Sequence, residues 1–312
     1  MQYKIEDKLE ILIPTYNRKL LLEHTLNSLL AKDSPVRLCQ ITVLDNATDD
    51  GSKELIAGFA SKYSNVKHIR HKTNIGGNAN ITRAYELAQK EYVWVVCDDD
   101  SFRWDSWCEI EQAIYTGDYD LLLTRKNDLK GTSNIAKIFR QCTFVPAAIY
   151  RTAIINSNVL VNMYNNIPFL FPHLAIISEV FNRKGRIFLP QGEIMDKCSF
   201  NFREPGQEYR TPKTNLYYPE MARKMFWTVG FIHSVQMIKD PKLRIYILDN
   251  LGRHGFLGYI VGAFRKNYTT YKGYKLNKDL IADGLCFRHR MKFYCACLFL
   301  KVTSMFRRKS KK

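Results

Sequence analysis

The stretch Tyr92–Phe102, YVWVVCDDDSF, decides the fold. A run of mostly β-forming apolar residues ends directly in three adjacent carboxylates, Asp98, Asp99 and Asp100. A short unbroken apolar run reads as a strand buried on both faces, as in a parallel sheet. Carboxylates crowded at the end of such a strand repel one another and resist the loss of water. A cation is the usual remedy. The bland alternative is a solvated acidic turn, or a cap for the helix that follows.

Moving outward, the same arrangement recurs. LEILIPTY (9–16), CQITVLD (39–45) and VKHIRH (66–71) read as strands, and the segments between them carry apolar residues at helical spacing, such as Leu22, Leu26, Leu29 and Leu30. The polar clusters PTYNR, DNATDD, KTNIGGN and DDD follow successive strands. Strand and helix in alternation predict an α/β fold, an open and mainly parallel sheet covered on both faces. In such a sheet the clusters gather on one rim, where ligands bind.

Farther along, YDLLLTR continues the alternation and FVPAAIYRTAIIN reads as a strand leading into a helix. FPHLAIISEVFNRKGRIFLP reads as a helix ending near Gly185, then a strand. Residues 191–215 are polar and irregular, a loop over the rim, in which Lys197, Arg203 and Arg210 form a basic lid or ordinary surface charge. From residue 216 the pattern is helical and rich in large aromatics. The reading is therefore two units, residues 1–215 and a basic helical region, 216–312.

Charge separates the same two parts. Residues 1–200 hold 24 Lys/Arg against 23 Asp/Glu, whereas residues 201–312 hold 23 against 7, so nearly all of the net charge of +17 lies in the last third. An anionic partner is implied there. The final segment, FYCACLFLKVTSMFRRKSKK, is too short and interrupted to span a bilayer and suits a helix lying on an anionic membrane surface. No nucleic-acid-binding module is present, so nucleic acid is not the partner expected. The eight cysteines are scattered without a CxxC pair, and the start of the chain lacks a signal-peptide layout, which fits a reduced, cytoplasmic protein.

The motifs ILIPTYNR, VLDNATDDGS, NIGGNAN and EYVWVVCDDD, in that order over roughly residues 8–125, resemble the nucleotide-sugar-binding half of the family 2 glycosyltransferases. The resemblance implies the GT-A (Rossmann-like) fold and an inverting, metal-dependent transferase using a nucleotide sugar, a UDP-sugar above others. It implies the family's DxD element at the acidic triplet, holding Mn2+ or Mg2+ through Asp98 and Asp100 with Asp99 nearby. An alternative alignment sets the first acidic position on Cys97 and makes Asp99 the principal ligand. Hard oxygen donors suit those cations, and a cation there would neutralise charge growing on a departing diphosphate.

By the same resemblance Asp45 accepts hydrogen bonds from the base, Pro14, Thr15, Tyr16 and Arg18 line the base and ribose pocket, and Asn74, Gly76 and Gly77 approach phosphate or ribose. Where many relatives carry Ala-Arg-Asn, this chain has Asn80-Ile81-Thr82. The family's catalytic carboxylate falls on His173, which leaves three candidates for the base: His173, Glu179 and Asp196. The acceptor implied is a hydroxyl of a lipid-linked or cell-surface glycan such as lipopolysaccharide, O-antigen or capsule, with the enzyme peripheral on the inner face of the plasma membrane. The competing readings are an inactive nucleotide-sugar-binding scaffold and, with less support, a sugar-nucleotide pyrophosphorylase, for which PTYNRKLLLEHT lacks a Gly-rich phosphate loop.

Overall fold

A computed structural model describes residues 4–125, 135–196, 226–251, 255–259 and 278–309. The expected lid residues Lys197, Arg203 and Arg210, and the boundary at 215/216, lie outside the described residues. Strands β1 (Leu9–Thr15), β2 (Gln40–Asp45), β3 (Val66–Arg70) and β4 (Tyr92–Val95) alternate with helices α1 (Ile5–Lys8), α2 (Lys19–Leu29), α3 (Ser52–Lys62) and α4 (Gly77–Glu86). A short strand β5 (Ser101–Phe102), α5 (Trp107–Thr116), β6 (Leu121–Leu123) and α6 (Ile135–Gln141) follow. Then come β7 (Ala148–Arg151), α7 (Ser157–Asn165), α8 (Leu174–Asn182), β8 (Ile187–Phe188) and β9 (Met195–Asp196).

Seven strands form one sheet in the order β3-β2-β1-β4-β7-β6-β8. The β1–β4 half is parallel, as the sequence predicts, but β7 enters antiparallel beside β4, with Tyr92 opposite Arg151, and β6 runs antiparallel to β7. Successive residues of β1 face opposite sides. Ile11 and Ile13 pack in the core that includes Leu22, Leu26 and Leu29 of α2, while Leu12 joins the core on the other face with Tyr85, Leu174 and Ile177. Burial on both faces explains why β1, β2 and β4 read as largely apolar runs.

Among the described residues toward the end of the chain, the helices Phe226–Gln236, Pro241–Asp249 and Phe287–Lys309 pack into the second of these cores. Phe231 meets Phe139 of α6 edge-on at 5.4 Å. Gly230 is what lets its helix come close: a Cβ there would lie 2.8 Å from the backbone nitrogen of Leu170. Among the described residues no helix is long and apolar enough to cross a membrane.

Candidate active site

The parallel strands end together. Thr15 lies in register with Asp45, and Val96 donates its backbone N–H to Leu12 O (3.0 Å), so the acidic triplet following β4 arrives beside the end of β1. An aromatic cluster fixes the turn beyond it: Trp94 packs edge-on against Phe102 (5.3 Å), which stacks on Trp104 (5.4 Å). The hydroxyl of Thr25, from α2, donates to both Asp98 O and Asp100 O at 3.1 Å.

The three carboxylates divide their work. Asp98 is buried and turned toward β1, accepting from Thr15 Oγ1 (2.7 Å) and Arg18 Nη1 (2.9 Å). The same Arg18 nitrogen reaches Asp99, half exposed, at 3.1 Å. Asp100 is buried and accepts the backbone N–H of Cys97 at 2.6 Å. Cys97, Asp99 and Asp100 place their ligating atoms within 4.8 Å of one another. Burial and the adjacent carboxylates push the Cys97 thiol well above its ordinary pKa, so it stays protonated. That leaves two carboxylates, the hard donors that Mg2+ or Mn2+ prefers. The residues fit such a cation, and the ligating atoms so gathered include those of Asp99 and Asp100.

Burial pushes the Asp100 carboxyl up to about 8, outweighing the Cys97 N–H, while Asp99 and Asp98 push it the same way. Burial also raises Asp98, against the pull of Arg18 and Thr15. Between its ordinary 3.8 and about 8, Asp100 binds a proton in the folded chain and not in the unfolded one, so stability falls as pH rises across that interval. Below about pH 6.5 His173, neutral in the fold and protonated in the unfolded chain, acts in the opposite sense, so in EDTA the melting temperature is expected to decline from about pH 6.5 to 8, and Asp100→Asn to make the decline shallower. A wild-type profile that rises over this range contradicts the assignment.

Asp45 is fully buried at the end of β2. Its Oδ1 accepts from Thr48 N (2.8 Å) and Thr48 Oγ1 (2.7 Å), and its Oδ2 pairs with Arg70 and with His68 Nε2 (3.2 Å). Burial raises its pKa, and the hydrogen bonds from Thr48, Arg70 and His68 overcome that and hold it below the usual range. Asp45 thus holds the Arg70 guanidinium, about a third exposed, at the rim. Arg70 also donates to Thr48 O at 2.7 Å. Neither His68 nor Arg70 stood out in the sequence, because only pairing of β3 with β2 sets them beside Asp45.

Pro14 and Tyr16 are half-buried at the end of β1. Asn74 accepts from Asn46 Nδ2 and from Gly76 N, both at 2.8 Å, while Asn46 accepts from Ile75 N at 2.9 Å. Gly76 caps α4 with φ 88°, a conformation that disfavours any side chain. No atom lies within 4 Å of where a Cβ on Gly76 or Gly77 would point, so the approach to α4 is open. Asn80, where the family pattern departs, ties α4 back to the sheet by donating to Leu44 O (3.0 Å) and accepting from His71 (2.9 Å). Asp50, just before α3, accepts from Ser52 N (3.0 Å) and from Lys19 N at the start of α2 (2.9 Å), tying the two helix starts together. Two residues with left-handed backbone, Asn17 (φ 50°) and Ala47 (φ 62°), also sit in these rim loops. Such strain persists where surrounding contacts over-determine it.

The three base candidates separate. His173 caps α8, where the sequence put a helix start, but its ring is only 2 % exposed and its Nε2 donates to Cys142 O at 3.0 Å. Burial pushes its pKa down to about 4, so it is neutral and enclosed in the core. Glu179 is held by Arg183 Nε of the same helix at 2.6 Å. Asp196, by contrast, pairs with Ser101 across the β5–β9 ribbon, one residue past Asp100.

Comparison with known proteins agrees with this geometry. A family model described as glycosyl transferase family 2 matches residues 10–185, more than half of the chain. Fold and match together place the chain in a family of glycosyltransferases with the GT-A fold. Abequosyltransferase RfbV of Salmonella typhimurium is 35% identical over 95 residues, covering 30% of this chain and 28% of that protein. Poly(ribitol-phosphate) beta-N-acetylglucosaminyltransferase TarS of Staphylococcus aureus is 26% identical over 165 residues, covering 48% of this chain and 29% of that protein. The chain thus spans less than a third of the length of these two relatives. The crystal structure of S. aureus TarS residues 1–349 with UDP superposes with a TM-score of 0.64 at 17% identity, over 93% of this chain and 87% of that one. The protein belongs to glycosyl transferase family 2.

Proposed function

We propose that the protein transfers a sugar from a nucleotide sugar, a UDP-sugar foremost, to a hydroxyl of a lipid-linked or cell-surface glycan, with inversion and with a divalent cation. The observation that carries this reading is the convergence of Thr15, Arg18, Asp45, Arg70 and the Asp98–Asp100 triplet on the rim of the parallel strands. The UDP bound to TarS and the polymer named for it lend support to donor and acceptor class.

In this reading Asp99 and Asp100 hold Mn2+ or Mg2+, which when bound neutralises charge on the diphosphate as the sugar departs. The end of β2 receives the base, with Arg70 offering donors that Asp45 keeps in place. Arg18 bridges Asp98 and Asp99 and orders the turn before the donor arrives. The open approach over Gly76 and Gly77 admits ribose or phosphate. The acceptor hydroxyl attacks the anomeric carbon from the face opposite the leaving diphosphate. Its proton passes to Asp196, our choice for the base among the three candidates, because the β5–β9 ribbon sets its backbone next to the triplet. Residues 1–215 form the transferase unit. The basic region from 216 on holds the protein against the inner face of the plasma membrane.

The test is a donor panel of UDP-, GDP- and dTDP-sugars with Mn2+ and with EDTA. Turnover of one donor, abolished by EDTA, is the expected result. Tight binding of a donor with no turnover in the presence of lipid-linked acceptors would favour the inactive scaffold instead.

A further inference from the structure

In the last helix, Phe287–Lys309, the inward face is packed among the described residues. His289, Phe293 and Cys297 are buried; His289 Nε2 pairs with Asp249 Oδ1 at 3.0 Å, and the Phe256 ring meets its imidazole edge-on at 4.9 Å. Its outward face is not. Phe287 is 79% exposed, Met291 48%, Tyr294 38% and Leu298 64%, with Phe299 beside them at 56%. At about 100° per residue, the first four fall within an arc of about 60°, turned away from the buried side. A single exposed apolar residue needs no explanation, but a continuous stripe of them does.

Charge tells what covers it. Arg288 and Lys292 fall on one flank of the stripe, Arg290 and Lys301 on the other, and Lys278 Nζ lies 5.0 Å from the Tyr294 ring centre. Arg288 reaches Asp249 Oδ2 at 3.6 Å yet remains 60% exposed, and Arg290 donates to the carbonyls of Ala282 and Leu285. From Phe287 to Lys312 the sequence holds nine Lys/Arg and no Asp or Glu. Long basic side chains beside an apolar stripe can lay their stems along it and raise their heads to phosphate. A second copy of the chain fits poorly, because a two-fold interface would press two such basic faces together.

We propose that the Phe287–Leu298 stripe lies in the headgroup–acyl boundary of an anionic phospholipid bilayer, with Arg288 and Lys292 at the level of the lipid phosphates. This rests on the peripheral-membrane reading above and assigns it to one face of one helix. In such a pose the helix anchors the transferase where a lipid-linked acceptor is presented.

The full chain is to be sedimented with phosphatidylcholine vesicles containing about one third phosphatidylglycerol, at low and high salt. Wild-type protein should bind, more weakly at high salt. The double variant Met291→Glu/Leu298→Glu should bind about 30-fold more weakly, with unchanged melting temperature and UDP affinity. Phe287→Ser, at the most exposed position, should act in the same direction and serves if the double variant is poorly folded. Equal binding by wild type and these variants overturns the stripe assignment while leaving charge-driven attachment intact. Wild-type protein that ignores the vesicles overturns both. A wild-type dimer that the double variant makes monomeric, read by light scattering, gives the stripe to a second copy and also overturns the proposal.

Discussion

Asp100→Asn is expected to lower the transfer rate by about 1,000-fold, the scale seen when one preorganised electrostatic contact to a developing charge is removed. Asp100 is 5% exposed, its carboxylate accepts from the Cys97 N–H, and two further carboxylates adjoin it. A group so placed is costly to ionise unless a cation arrives, and it gains most when one does. Asparagine keeps the shape and can still accept from Cys97 N–H, so the fold should survive. It offers no negative charge, so affinity for the cation should drop with the rate. Loss of rate with cation affinity unchanged would show that Asp100 acts through the turn instead.

The second large effect is expected at Asp196. If it takes the acceptor's proton, Asp196→Asn should lower kcat by about 1,000-fold with little change in KM for the donor. The companion variant His173→Gln serves as the control. Its ring lies in the core and donates to Cys142 O, so its loss should cost about 1–2 kcal/mol of stability and leave kcat within severalfold. The reverse pattern, an intact Asp196→Asn enzyme and a stable but inactive His173→Gln, would return the role of base to His173.

These two sites differ in how far the sequence foretold them. The triplet was legible because β4 is buried on both faces, and charge directly after such a run has few uses. The ends of β1 and β2 were legible for the same reason, that of the more exposed β3 only from its place in the alternation, and their shared rim followed from parallel alternation. What the triplet would do internally was not legible. Only the fold turns Asp98 toward Thr15 and Arg18 and leaves Asp99 beside Asp100. The antiparallel entry of β7 next to β4 depends on pairing across more than 50 residues, which no local pattern in AIYR records. The start of α8 was placed correctly, yet the direction of His173 depends on a carbonyl 31 residues away in the chain. Asp196 gained its position from a ribbon of two-residue strands, too short to leave a periodic trace.

The central claim is that the rim binds a nucleoside diphosphate through a cation held by the acidic triplet. Calorimetric titration of UDP into the full chain, with Mn2+ and again with EDTA, tests it most directly. Binding that is strong with Mn2+, lost in EDTA and weakened by Asp100→Asn is the predicted result. Binding that is indifferent to EDTA, or no binding in either condition, would contradict it.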